Sequence, residues 1–149
     1  MNIDEKVLET LIRSIIEKEL SVKKEDFKEM DAQSGVGVAK LSKMTLDRFD
    51  TGNPNDQVYL KDIFSLEESP RIGAGLMEMT ETTFDWTLKY DEIDYIIEGT
   101  LEIIIDGRKV VGNAGDVILI PKNTKIQFSA PEHAKFVYVV YPANWAEQA

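Results

Sequence analysis

From residue 36 to the C-terminus the sequence predicts an all-β domain, a sandwich or barrel, preceded by one amphipathic α-helix. Helical periodicity is confined to the first twenty residues. Beyond residue 35 short β-branched or aromatic runs take over, and Gly, Pro, Asn and Asp separate them at intervals typical of sandwiches and barrels. With 149 residues, the chain is the size of one such domain and can bury about two-thirds of its unfolded surface.

The helix is read from Leu8, Leu11, Ile12, Ile15, Ile16 and Leu20, which recur at helical spacing and form one apolar stripe. Glu9, Arg13 and Glu17 lie four apart on another face and alternate in charge. Asn2 followed by Glu5 has the spacing of a capping box. The predicted organisation is a helix over residues 1–20, a charged linker over 21–35 and a β domain over 36–149. A helix this short is marginal alone in water, so its stripe needs a surface, either on its own domain or in a groove on a partner.

In the β domain, weak strands are expected at 38–41 and 58–60, around a loop at 51–56; no chemistry is legible in residues 36–64. Clearer strands are expected at 72–79, 93–97, 101–105, 108–111, 117–120, 125–128 and 136–141. Asp106-Gly107 is the dipeptide that suits a type I′ turn and joins 101–105 to 108–111. Gly115, Pro121 and Pro131 are read as breaks between strands.

Composition excludes several functions. The net charge is −10, from 27 acids and 17 bases, which disfavours nucleic acid and anionic membranes, since both are bound through Lys and Arg. No apolar run approaches the roughly 20 residues of a membrane span. Asp4, Glu5 and Glu9 interrupt the N-terminus, unlike a signal peptide, so a cytoplasmic location is expected. With no cysteine, disulfides, thiolate metal sites and Cys nucleophiles are all absent. The single histidine, His133, falls between Glu132 and Ala134 in an expected turn.

Glu92, six residues, Gly99, fifteen residues, Gly115, five residues and Pro121 form a spacing that resembles the two motifs of the cupin superfamily. Those motifs read Gly-x5-His-x-His-x3–4-Glu-x6-Gly and Gly-x5-Pro-x-Gly-x2-His-x3-Asn. The resemblance implies a jelly-roll barrel. The histidine positions of the first motif fall on Trp86 and Leu88, or on Asp85 and Thr87 with the longer gap. In the second motif the glycine, histidine and asparagine positions fall on Asn123, Ile126 and Ala130. Only Glu92 remains of four ligands. One carboxylate cannot hold a transition metal, because such sites need three or four ligands and favour imidazole. No tightly bound transition metal is expected.

The run from Trp86 to Asp94, then Glu98-Gly99, Gly115-Asp116-Val117, Ile120-Pro121-Lys122 and the closing Tyr141-Pro142-Ala143-Asn144-Trp145 look like the ethanolamine-utilisation cupins known as EutQ. The similarity includes the residues that stand at the lost metal positions. It implies a place in bacterial ethanolamine catabolism, within or at a protein-shelled microcompartment, and acetate kinase activity, with ATP and Mg2+ as its requirements. This chain is shorter at its N-terminus than the longer members. Residues 8–16 also look like an encapsulation helix, with Leu8, Leu11, Ile12, Ile15 and Ile16 meeting a shell protein or another such helix.

No Walker motif or dinucleotide fingerprint is present: Gly35-Val36-Gly37 and Gly73-Ala74-Gly75 lack the required endings. Phosphoryl transfer needs cations on the phosphate oxygens and carboxylates for magnesium. Asp91, Glu92 and Asp94 supply acids at the expected barrel mouth, and Lys89, Lys122 and Lys125 supply the cations. The candidate catalytic residues are Glu92 and Asp94. Trp86, Leu88, Tyr90, Lys122 and Ile126 are the candidate substrate contacts. In the cupin frame Glu92 points inward, where burial beside Leu88 and Ile126 raises its pKa. Three classes stay open: an acetate kinase, a non-catalytic compartment component, and a barrel that binds a small molecule without turnover. A homodimer is expected from the jelly-roll frame, with residues 142–145 offered as part of its interface.

Overall fold

The computed structural model describes residues 4–22 and 26–148. Its contacts divide the chain into two compact units, residues 1–43 and 44–149. In the first unit, helix α1 spans Glu5–Val22. Asn2 lies outside the described residues; the observed start is Asp4, whose Oδ1 accepts the Lys6 N–H at 3.1 Å and whose carbonyl accepts the Leu8 N–H at 3.0 Å. Leu8, Leu11, Ile12, Ile15 and Ile16 are all exposed. The segment expected as linker contains more structure than its charge indicates. Residues 23–25 lie outside the described residues, but β1 (Lys28–Met30) pairs antiparallel with β2 (Gly37–Ala39). Phe27 is buried, and its carbonyl accepts the Lys40 N–H at 2.6 Å. The hairpin closes through Asp31, which accepts both the backbone N–H and the hydroxyl of Ser34. Such Asx turns use residue types that otherwise read as linker.

The second unit is the barrel, made of β3 (Asp47–Arg48), β4 (Gln57–Asp62), β5 (Gly73–Leu88), β6 (Asp91–Ile105), β7 (Arg108–Asn113), β8 (Val117–Ile120) and β9 (Thr124–Tyr141). Every pairing is antiparallel. Strands β5, β6 and β9 are long enough to serve two sheets. Their outer halves give the order β8-β6-β9-β5-β4-β3; their other halves give β7-β6-β9-β5. This is a jelly roll closed on its own core. Alternation fills it: Met77, Met79, Phe136 and Tyr138 point inward from the first sheet, and Phe84, Leu101, Ile103, Ile126 and Phe128 from the second.

The runs 93–97 and 101–105, expected as separate strands, are one continuous strand, as are 125–128 and 136–141. Gly115 and Pro121 separate β7, β8 and β9 as expected, whereas Pro131 lies inside β9 and, with Gly99 in β6, marks the bends that let one strand cross between sheets. Gly99 takes φ 75°, where a Cβ would run into the carbonyl oxygen of His133. Opposite it, the β5–β9 register slips between Thr80 and Thr82 at Glu81, φ 44°. Pro131 sits in that gap, where its missing N–H costs no ladder hydrogen bond. The expected hairpin turn between β6 and β7 is a true reversal, with Asp106 at φ 49° and Gly107 at φ 78°. His133 consequently lies within β9, not in a turn.

Gly99→Ala should therefore destabilise the barrel by at least about 2 kcal/mol, from left-handed backbone strain plus the carbonyl clash. Urea unfolding measures this; a loss below about 0.5 kcal/mol would mean that the bend is not fixed by glycine.

Candidate functional site

Strand alternation on β6 turns Glu92, Asp94 and Ile96 inward and leaves Asp91, Ile93 and Tyr95 outside. Glu92 is 5% exposed and Asp94 0%. Their register partners are Ile120 and Ile118 on β8 and Val140 and Tyr138 on β9. Oε2 of Glu92 and both carboxylate oxygens of Asp94 reach no hydrogen-bond donor. Burial raises the Glu92 carboxyl to about 7. Burial, with the adjacent Glu92 charge, holds Asp94 well above the usual carboxylate range.

Glu92 lines a narrow cavity of about 20 Å3, the room of about one water. The rest of the wall is apolar and aromatic: Phe49, Leu60, Met77, Phe84, Trp86 and Tyr90 on one part, Phe128, Tyr138 and Trp145 on another. The rings meet at steep angles. Trp145 lies 65° from Trp86, 58° from Tyr90 and 74° from Tyr138, with centroids 5.9–6.2 Å apart. Phe49 sets its edge to Trp86 at 5.7 Å and 70°.

Polar tips of these aromatics are tied down. Trp86 Nε1 donates to the Tyr90 hydroxyl at 2.8 Å. Asp62 Oδ1 accepts from the Tyr138 hydroxyl at 2.7 Å and from Trp145 Nε1 at 3.2 Å. Gly75 makes the first of these bonds feasible. It sits between Asp62 and Tyr138 in register, and a Cβ there would occupy the space of the Tyr138 ring. Burial raises both phenols, reinforced by Glu92 at Tyr90 and by Asp62 at Tyr138.

Among the sequence candidates, Trp86, Tyr90 and Glu92 converge on the cavity. Asp94 lies beside Glu92 on the same face but outside the cavity wall, and Leu88 and Ile126 belong to the packed core. Lys122 is exposed; its N–H donates to Asp91 Oδ1 at 2.8 Å. The acids expected together at the mouth are thus split by strand alternation, Asp91 outside and the other two inside. Lys89, Lys122 and Lys125 are exposed at one end of the barrel, where the Asn123 N–H donates to the Leu88 carbonyl at 2.8 Å and joins the two turns. Asn123 occupies the motif's glycine position at φ 67°, a conformation that Asn tolerates. Sequence reasoning missed Phe49, Asp62 and Tyr138, which lie outside the motifs and arrive through strand register. It also read the tail differently: Trp145 is buried and closes the aromatic wall.

A transition-metal centre does not fit this interior. The motif positions supply an indole, two aliphatic chains and one carboxylate. Among the described residues, a grouping with metal-ligand spacing is Glu78, Glu98 and His133, whose ligand atoms lie within 4.8 Å of one another. Glu78 and His133 sit on the outer side of the sheet, bonded to each other at 3.1 Å.

Fold and site together define a jelly-roll cupin in which an acid pair and aromatic rings occupy the space of the metal centre. Solved cupins share the fold: the cupin domain of Schizosaccharomyces pombe Cnp3 superposes with a TM-score of 0.57 over 74% of this chain and 77% of that one, at 15% identity. The family model for ethanolamine utilisation protein EutQ matches residues 3–147, and the chain belongs to that family. Acetate kinase EutQ of Clostridioides difficile (strain 630) is 59% identical over 99% of this chain and 97% of its own length. Acetate kinase EutQ of Salmonella typhimurium is 35% identical over 92% of this chain, which spans 63% of that relative. The solved structure of the Clostridium difficile EutQ protein has a TM-score of 0.79 and 60% identity, covering 82% of this chain and 90% of that one.

Glu92 should make stability fall as pH rises. Its folded pKa of about 7 exceeds the ordinary glutamate value of 4.5, so the folded state holds the proton more tightly. That contribution is complete below about pH 4.5 and is lost on the way to about 7. Urea midpoints across pH 4.5–7.5 should show a decline that Glu92→Gln flattens. An unchanged slope in the variant would assign the effect to other groups.

Proposed function

We propose that this chain is an acetate kinase of ethanolamine utilisation, transferring the γ-phosphoryl group of ATP to acetate. One observation carries the reading: Glu92, a carboxyl that can be neutral near pH 7, lines an aromatic cavity in a chain 59% identical to a relative named acetate kinase. In the reaction an acetate oxygen forms the new O–P bond, the bond to the β-phosphate oxygen breaks, and ADP leaves; acetate contributes its carboxylate without proton transfer. The cavity is far too small for a nucleotide, so ATP and its Mg2+ bind outside it, near the exposed Lys89, Lys122 and Lys125, whose charge faces phosphate oxygens. Acetate has four heavy atoms, so its entry requires the half-buried Trp86 and Phe49 to move aside. A neutral Glu92 then donates a hydrogen bond to the acetate oxygen not under attack, and the rings of Trp86 and Tyr90 cover the methyl group. Asp94 acts through Glu92: the two carboxyls share a hydrogen bond when one is protonated, and an ionised Glu92 raises the cost of ionising Asp94.

A hydroxamate assay for acetyl phosphate tests this. Wild type should turn over, Glu92→Ala should lose at least about 100-fold in kcat/KM, and Lys122→Ala should raise the KM for ATP. No turnover above a heat-killed control would eliminate the activity.

The exposed stripe of α1 favours a second role beside the enzyme. Leu11 is 53% exposed and Ile15 61%, a large apolar surface for a short helix. We infer that it serves as an encapsulation helix that places the protein within or at a microcompartment. The outer face of β6, β8 and β9 is a separate apolar surface, with Ile93, Tyr95, Val117, Leu119, Val139 and Tyr141 all exposed. Contiguous patches of this kind mark interfaces, and we assign it to the expected homodimer. Leu11→Glu with Ile15→Glu should leave unfolding of the barrel unchanged and abolish co-assembly with shell protein, whereas Leu119→Glu should shift sedimentation to the monomer. Co-assembly by the helix variant, or an unchanged sedimentation coefficient, would refute the respective surface.

A further inference from the structure

We infer that the barrel cavity is a binding site for an ammonium group, either the free ion or the head of a small primary amine, held by Glu92 among aromatic rings, with Asp94 beside Glu92 adding to the local negative charge. Charge is the first ground. The two acids are almost wholly buried, and three of their four oxygens find no donor. An ionised carboxylate only accepts hydrogen bonds. No Lys, Arg or His lines the cavity among the described residues, so the missing donors must come from a proton or from a bound cation.

Size selects the cation. A space of about 20 Å3 accommodates one water, and ammonium is close to water in size. Magnesium keeps several waters when bound and is excluded by volume. A bare alkali ion brings no hydrogens for Glu92 and meets mostly carbon on the walls. A carboxylate fits only the protonated, neutral acid, whereas the ionised acid calls for a cation that carries hydrogens.

The walls agree. Trp86, Tyr90 and Tyr138 each stand at a steep angle to Trp145, as in an aromatic cage, and their π systems attract cations. The Tyr138 hydroxyl donates its hydrogen to Asp62, which leaves its oxygen able to accept from the ligand. An ammonium group can therefore give hydrogens to Glu92 and to Tyr138 while its remaining surface meets rings. The site goes beyond phosphoryl transfer and does not depend on it: a proton and an ammonium group are alternative ways of neutralising one acid pair.

Thermal unfolding of the full chain at pH 8 and constant ionic strength tests the inference, with ammonium, methylammonium, tetramethylammonium, sodium or potassium chloride, or sodium acetate. Ammonium or methylammonium should raise Tm saturably, by about 8 °C at a hundredfold excess over Kd. Sodium, potassium and tetramethylammonium should not. A response to ammonium alone identifies the free ion, and a stronger response to methylammonium identifies an amine head. Glu92→Gln and Asp94→Asn should abolish the shift. Should either variant fail to fold, 15N-ammonium added to wild type should give a bound resonance distinct from free ammonium. No selective shift and no bound resonance, a shift retained in Glu92→Gln, or stabilisation by acetate alone would overturn it. Acetyl phosphate formation, measured separately, reports on the kinase reading and not on this site.

Discussion

Glu92 and Asp94 stand two residues apart on one strand, and the pleat that buries Ile96 buries them too. A buried carboxylate without a donor costs several kcal/mol to ionise, and two side by side cost more, because each opposes the charge of the other. The pair must therefore hold protons or a cation at neutral pH. The surrounding interior answers to this requirement. Among the described residues no basic side chain lines the cavity, the aromatic tips are bonded elsewhere, and of the outward neighbours Ile93 and Tyr95 carry no charge while Asp91 is bonded to a turn.

The fold enforces the constraint by making β6 continuous. Its first half lies between β8 and β9, its second between β7 and β9, and the bend at Gly99 lets both halves face the same core. Other strands fix what the acids meet. Asp62, Gly75 and Tyr138 are neighbours across three strands, and Trp145 returns from the C-terminus to share Asp62 with Tyr138. In cupins that retain the motif ligands, imidazoles and a metal occupy this space; here Trp86, Leu88 and Ile126 replace the imidazoles. The glutamate at the remaining motif position has no imidazole beside it and is buried among apolar and aromatic side chains, and its proton affinity follows from that burial.

Much of this was legible in the sequence, for reasons specific to each element. The hairpin from β6 to β7 was plain because Asp106-Gly107 suits a type I′ turn, and residues 117–120 are an unbroken β-branched and aliphatic run. The spacing of Glu92, Gly99, Gly115 and Pro121 identified the frame. Continuity of the long strands was hidden, since Gly99 and Pro131 are usual signs of a break and only the register gap at Glu81 shows why they bend a strand instead. Residues 82–88 repeat the inward pattern of Thr82, Phe84 and Leu88, a signal that was present and short. The β1–β2 hairpin depends on Asp31 side-chain bonds that composition cannot distinguish from a linker. Trp86 and Glu92 came from motif positions and Tyr90 from the run between them; Asp94 was grouped with Asp91 at the mouth, and only the pleat of β6 separates the two. Phe49, Asp62 and Tyr138 could not be found from sequence, because only pairing brings them to the acids.

Direct titration of the two carboxyl carbons by 13C NMR, in protein labelled at Glu and Asp and assigned with Glu92→Gln and Asp94→Asn, measures the account's central quantity. In buffer free of ammonium and amines, Glu92 should titrate near pH 7 and Asp94 should keep its proton well above the ordinary aspartate range. Two carboxyls that both ionise below about pH 5, as exposed acids do, would contradict the account.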